Sequence, residues 1–100
     1  MQPIPITGSN TDAWSLAATT PSVWAPLERL AEVLPIDLGA AMYVGSVETP
    51  TGTAHGFKNA DTRRTFYVLA ELVTRYRAVG PDAVLIPFTS LADAVEYWND

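Results

Sequence analysis

The stretch from Asp61 to Gly80, DTRRTFYVLAELVTRYRAVG, constrains the fold more than any other part of this chain. Phe66, Leu69, Ala70, Val73 and Tyr76 recur at the spacing of one face of an α-helix, and Val68, Leu72 and Val79 widen the stripe. Asp61 reads as an N-cap, Glu71 and Arg75 as an i,i+4 pair in the favourable order, and Gly80-Pro81 as a stop. The spacing predicts a well-buried helix over 61–79.

Shorter elements surround it. Pro3 and Pro5 fix φ and remove donors, so residues 1–10 read as an extended arm ending in the turn residues Gly8, Ser9 and Asn10. Residues 11–100 read as one globular domain, as the length of 100 residues suggests. DAWSLAA, capped by Asn10, Thr11 or Asp12, suits a short helix. Val23, Leu27, Leu30, Ala31 and Leu34 mark a second helix, with Pro26 in its first turn and Pro35 past its end. Tyr43, Val44 and Val47 favour a strand, TPTG a turn and TAHGF a returning strand, so residues 40–58 read as a hairpin. DAVLIPF reads as a short buried strand. TSLADAVEYWND reads as a final helix with Ser90 and Asp93 as a capping box and Leu91, Ala94, Val95 and Trp98 as its apolar stripe. The expected fold is α+β: a β-hairpin plus one short strand packed against three or four helices, in the order α-α-β-β-α-β-α. If the strands on either side of the long helix are adjacent and parallel, the helix would make a right-handed crossover between them.

Charge is distributed unevenly. Residues 55–77 hold Lys58, Arg63, Arg64, Arg75 and Arg77 against Asp61 and Glu71, a net +3, while the rest of the chain is −8 and the whole is −5. Arg63 and Arg64 at a helix start, with Lys58, Thr62 and His55 near, could hold a phosphate or a partner's carboxylates. The plain alternative is a solvated face of arginines lying over apolar surface and pairing with local acids. Overall acidity argues against duplex binding, where phosphate neutralisation dominates affinity. No helix-turn-helix, zinc-finger or RNA-binding aromatic motif is present.

Signals for chemistry are sparse. Cysteine is absent, which excludes disulfides, thiolate metal sites and cysteine nucleophiles. His55 is the one histidine and has no sequence-adjacent partner for general-base work. There is no nucleophile elbow, P-loop, zinc-protease or dinucleotide fingerprint. No clustered Asp motif suggests a metal, and no cofactor is implied. MQPIPITGSN has no basic leader pattern, and no run approaches the roughly 18 apolar residues of a membrane helix. The chain reads as soluble and cytoplasmic, or as part of a virion or similar assembly if it comes from a phage or mobile element.

Aromatics offer contacts instead. Trp14 and Trp24 lie in the less regular N-terminal third and suit either core or interface, where tryptophans anchor binding. Tyr67 falls at the margin of the helical stripe, close to Arg63 and Glu71. The arm could lie across a neighbouring subunit. The sequence therefore reads as a non-enzymatic protein-binding module, either a subunit of a larger assembly or a small accessory or inhibitor protein. Its candidate contact residues are Lys58, Arg63, Arg64, Tyr67, Arg75, Arg77, Trp14 and Trp24. Two alternatives stand beside it: an anion- or nucleic-acid-binding protein using the basic 55–77 segment, and a small enzyme using His55.

Overall fold

The computed structural model describes residues 3–10 and 21–100. In chain order the elements are β1 (Ile4–Pro5), β2 (Gly8–Asn10), a 3-10 turn (Pro21–Trp24) running into α1 (Ala25–Ala31), a second 3-10 turn (Leu38–Ala40), β3 (Ala41–Thr49), β4 (Gly52–Asn59), β5 (Thr65–Leu69), β6 (Leu72–Val79), β7 (Asp82–Pro87) and α2 (Leu91–Asn99). The strands form one seven-stranded sheet in the order β1-β7-β6-β5-β4-β3-β2, and every pairing is antiparallel. The sheet curls into a half-barrel.

The expected α+β fold is thus replaced by a mainly β one with two short α-helices among the described residues. The helix expected over 61–79 is a hairpin, β5 and β6, joined at Ala70-Glu71. Phe66, Tyr67, Val68 and Leu69 form a continuous apolar run, and a run buried on both faces has no period to distinguish strand from helix. The turn also lacks the Asn-Gly or Asp-Gly signature of a two-residue hairpin. Leu69 pairs with Leu72, and Ala70 takes φ 54°, a conformation usually given to glycine. Asp61 caps no helix. It lies in the β4–β5 turn, where its N–H donates to the Asn59 side-chain carbonyl at 2.9 Å. Glu71 sits in the turn and Arg75 in a strand, so their helical pairing is absent. Gly80-Pro81 ends no helix but turns β6 into β7, with Gly80 at φ 60° and Val79 paired to Asp82. Consecutive strands β3 to β7 are neighbours, so the expected parallel crossover gives way to a meander.

Elements with local punctuation are present. Thr49 pairs with Gly52 across Pro50-Thr51, closing the β3–β4 hairpin. α1 carries its proline in the first turn and buries Leu27 and Leu30. α2 is capped by Ser90 Oγ, which accepts from the Asp93 N–H at 3.2 Å, and buries Ala94 and Trp98. The helix expected over 12–18, with Trp14, lies outside the described residues.

Strand alternation gives each sheet face its own core. On one face Tyr43, Phe57, Phe66, Val68 and Val73 meet Val23, Leu27 and Leu30 of the α1 region and Ala94 and Trp98 of α2. Phe66 and Trp98 stack with centroids 4.4 Å apart. The other face packs Val47, Ala54, Leu69 and Leu85 with Ile4, Ile6 and Tyr67, and among the described residues takes no helical one. A bulge between Tyr43 and Gly45 bends β3 beside these cores, with Gly45 at φ 113°.

Asn59 fastens the β4–β5 turn to α2. Its buried amide donates to the Trp98 carbonyl at 2.9 Å while its oxygen takes the Asp61 N–H. Thr62 Oγ1 donates to the same carbonyl at 2.7 Å. A helix-end carbonyl, unpaired within the helix, is thereby satisfied from the sheet.

Candidate functional site

The hairpin arrangement divides the basic segment between the two sheet faces. Arg75 and Arg77 alternate with Tyr76 on β6 and share the helix-side face with Val73. Arg64 joins them there. Its guanidinium lies 5.2 Å from the centroid of the Tyr97 ring on α2, and its Nη2 is 3.5 Å from the Asp100 carboxylate. Both partners are exposed, so this ion pair adds little stability. Arg63 sits in the β4–β5 connection at φ 64° and is exposed. Lys58 points the other way, to the face without helices, because β4 alternates and its neighbour Phe57 is in the helix-side core. The start of 61–79 is a turn, so it offers no helix-terminal anion cradle.

Tyr67 also lies on the helix-free face. It pairs with Gly56, and the glycine lets its ring lie flat across β4. Tyr76 follows on β6, ring centroids 6.4 Å apart. The row continues across the sheet by register: Met42 opposite Lys58, Lys58 opposite Thr65, and Tyr76 opposite Leu85. Met42 and Tyr76 are 51% and 52% exposed. Lys58 is the only charged residue that strand alternation places on this face of β3 to β7. Burial raises the Tyr67 phenol above its ordinary pKa, with Tyr76 and Tyr43 adding to the rise, so the hydroxyl stays a neutral donor and acceptor.

Tyr76 escapes a helical reading, which puts it in the core stripe, while Met42 lies in the expected hairpin with no local signal to single it out. The alternation Arg75-Tyr76-Arg77 is the signal that reveals Tyr76 once β6 is a strand. Trp24 packs into the helix-side core, 5.6 Å from Phe57 and 6.2 Å from Tyr43 by ring centroids. Trp14 lies outside the described residues.

His55 is half-buried on the helix-side face of β4, opposite Ser46 on β3 and Val68 on β5. Its Nδ1 lies 3.0 Å from the Tyr43 hydroxyl. Burial lowers the imidazole pKa, and the Glu48 carboxylate opposes that shift. Burial raises the Tyr43 pKa, opposed by hydrogen bonding from Ser46. Glu48 accepts from Thr53 Oγ1 at 2.8 Å. The imidazole is thus held neutral and oriented, which suits structural bonding and would equally suit a base.

Grooves lie elsewhere on the surface. One of about 260 Å³ separates α1 from the β5–β6 turn and α2, with Leu30, Val33, Ala70 and Leu91 on its walls and Arg29 and Glu71 at its rim. A second runs along α2 beside Phe88, Tyr97 and the carboxylates of Asp93, Glu96 and Asp100. A third opens between the N-terminal strands and Tyr76. None of the three is lined by His55. Among the described residues no group of three or more potential ligands gathers for a metal, and no helix is long and apolar enough to cross a membrane. No protein-family model matches this chain, and no curated protein or solved structure is significantly similar to it.

Proposed function

We propose that this chain is a non-enzymatic protein-binding module whose contact surface is the helix-free sheet face around Met42, Lys58, Tyr67 and Tyr76. The observation that carries the reading is the row of aromatic, thioether and lysine side chains, open at Met42 and Tyr76, on a sheet face where strand alternation places Lys58 as the only charged residue of β3 to β7. Tyrosine and methionine are enriched at interfaces because they present large contact area, and tyrosine does so with few rotatable bonds. A tyrosine pair with a polar tip on each ring gives both burial and hydrogen bonding to a partner. The basic segment supports an anion site less well, since Lys58 faces away from Arg64, Arg75 and Arg77, and a phosphate needs donors that converge.

Site-specific photo-crosslinking in the native cell tests the reading. A photoreactive phenylalanine at position 42 or 76 should yield a defined protein adduct, while the same group at Glu28 or Glu32, exposed on and just past α1, should not. Equal labelling from both faces, or none from the sheet, overturns it.

A further inference from the structure

The two outermost strands of the sheet are consecutive in sequence. β1 pairs with β7, β2 pairs with β3, and only Ile6 and Thr7 lie between them. The Ile6 N–H donates to the Ala83 carbonyl at 3.4 Å, and the Thr7 N–H to the Glu48 carbonyl at 2.8 Å. A single strap of chain therefore spans both edges of the β3–β7 meander. Ile4 and Ile6 fold inward onto Val47, Ala54, Leu69 and Leu85.

The hold is slender. The ladders are two residues long at one end and three at the other. Pro3 and Pro5 contribute no donors. Pro5 faces Val84 one step from the hydrogen-bonded Ile6–Ala83 position, so its missing N–H would have pointed away from β7. Proline there also denies the outer edge to a further strand. A groove of about 320 Å³ undercuts the strap beside Ile6, Thr7, Gly8 and Tyr76.

Release of the strap would leave two strand edges and an apolar sheet face uncovered at once. The segment that fits them is extended, carries branched aliphatics two residues apart, and continues into a small residue. Another copy of this chain supplies that segment. We infer that residues 3–10 exchange between copies, giving a dimer in which each strap closes its partner's sheet. The exchanged dimer makes the same strap contacts as the monomer, so the balance between them is set by concentration. The strap lies on the same sheet face as the Tyr67–Tyr76 row and borders it at Tyr76, but its exchange does not depend on the function proposed for that row.

The test uses the absence of cysteine from the full chain. A Cβ on residue 8 would stand 3.9 Å from the Glu48 Cβ, within the range a disulfide needs. Gly8→Cys combined with Glu48→Cys is prepared with and without nitrogen-15, mixed under reducing conditions across a concentration series, oxidised and digested. Strap exchange gives 8–48 linked peptides carrying one isotope from each chain, in a share that rises with concentration. Linked peptides of a single isotope at every concentration overturn the inference. Pro5→Cys with Val84→Cys repeats the measurement at the other edge. Exchange gives mixed links at both ends, and a mixed link at one end only counts as random thiol collision and also overturns it.

Discussion

Gly56 and Tyr67 face each other across β4 and β5, and the Tyr67 ring occupies the space a side chain at position 56 would need. A Cβ there would stand 2.5 Å from Tyr67 Cε2 and 2.9 Å from Val44 Cγ2. Neither neighbour can yield easily, because Tyr67 is packed on the second core and Val44 sits in the bulge. Gly56→Ala should destabilise the fold by about 1–3 kcal/mol, the overpacking range. The same change in a Tyr67→Ala background should cost much less, and chemical denaturation of the four proteins measures the coupling. Equal costs in both backgrounds would separate the glycine from the ring.

Ala70 is held at φ 54° in the first central position of its two-residue turn. An L-residue in that region carries roughly 1–2 kcal/mol of strain that glycine does not. Ala70→Gly should therefore raise stability by about 1 kcal/mol after allowing for glycine's greater freedom in the unfolded chain. Thermal melting reads this directly. A lower melting temperature would mean that the Ala70 methyl, at the wall of the groove beside Leu30 and Val33, stabilises more than its strain costs.

His55 should make stability depend on pH near neutrality. Its folded pKa is lowered by burial, so above the ordinary value of about 6.5 both folded and unfolded forms are neutral. Below about 6.5 the unfolded chain takes up the proton first, and stability falls as pH drops toward the folded pKa. His55→Gln should remove that decline while leaving the carboxylate titration at lower pH. Denaturation midpoints for both proteins across this range, with the imidazole followed by NMR, give the answer. Parallel curves, or a ring titrating above the ordinary value, would show that burial does not govern this histidine.

Asn59 should be the most costly polar residue to truncate. It is 4% exposed and serves the Asp61 N–H and the Trp98 carbonyl together. Asn59→Ala leaves the Asp61 N–H without its acceptor and the Trp98 carbonyl with Thr62 Oγ1 alone, a loss of about 1–3 kcal/mol. Thr62→Val should cost less, because Asn59 still serves the Trp98 carbonyl. Hydrogen exchange at Asp61 should quicken in the first variant. A smaller loss for Asn59→Ala than for Thr62→Val would reverse this ranking.

Much of the chain was legible wherever a signal acts over a few residues. Ser90 caps α2 through the next turn's amide, Pro26 starts α1, and Pro50-Thr51 turns β3 into β4. Each of these choices is made by local sterics and one or two hydrogen bonds. The same holds for Pro5, confined to an edge. The excess of basic residues over 55–77 was equally plain, but its arrangement was not. Whether Lys58 and Arg64 share a patch depends on the period of the backbone between them.

That period was decided by tertiary structure. Phe66, Tyr67, Val68 and Leu69 are apolar in every direction because β5 lies between two cores, and such a run suits either secondary structure until its neighbours are present. β4 on one side and β6 on the other supply the backbone partners that make it a strand. The sequence by itself determined α1 and α2, the first hairpin, the absence of thiol chemistry and the position of the charge. Only the folded sheet decided that residues 61–79 form a hairpin, that Tyr76 joins Tyr67 on one sheet face, and that one N-terminal strap reaches both edges. These depend on hydrogen bonds and packing between residues far apart in the chain, which no local spacing records.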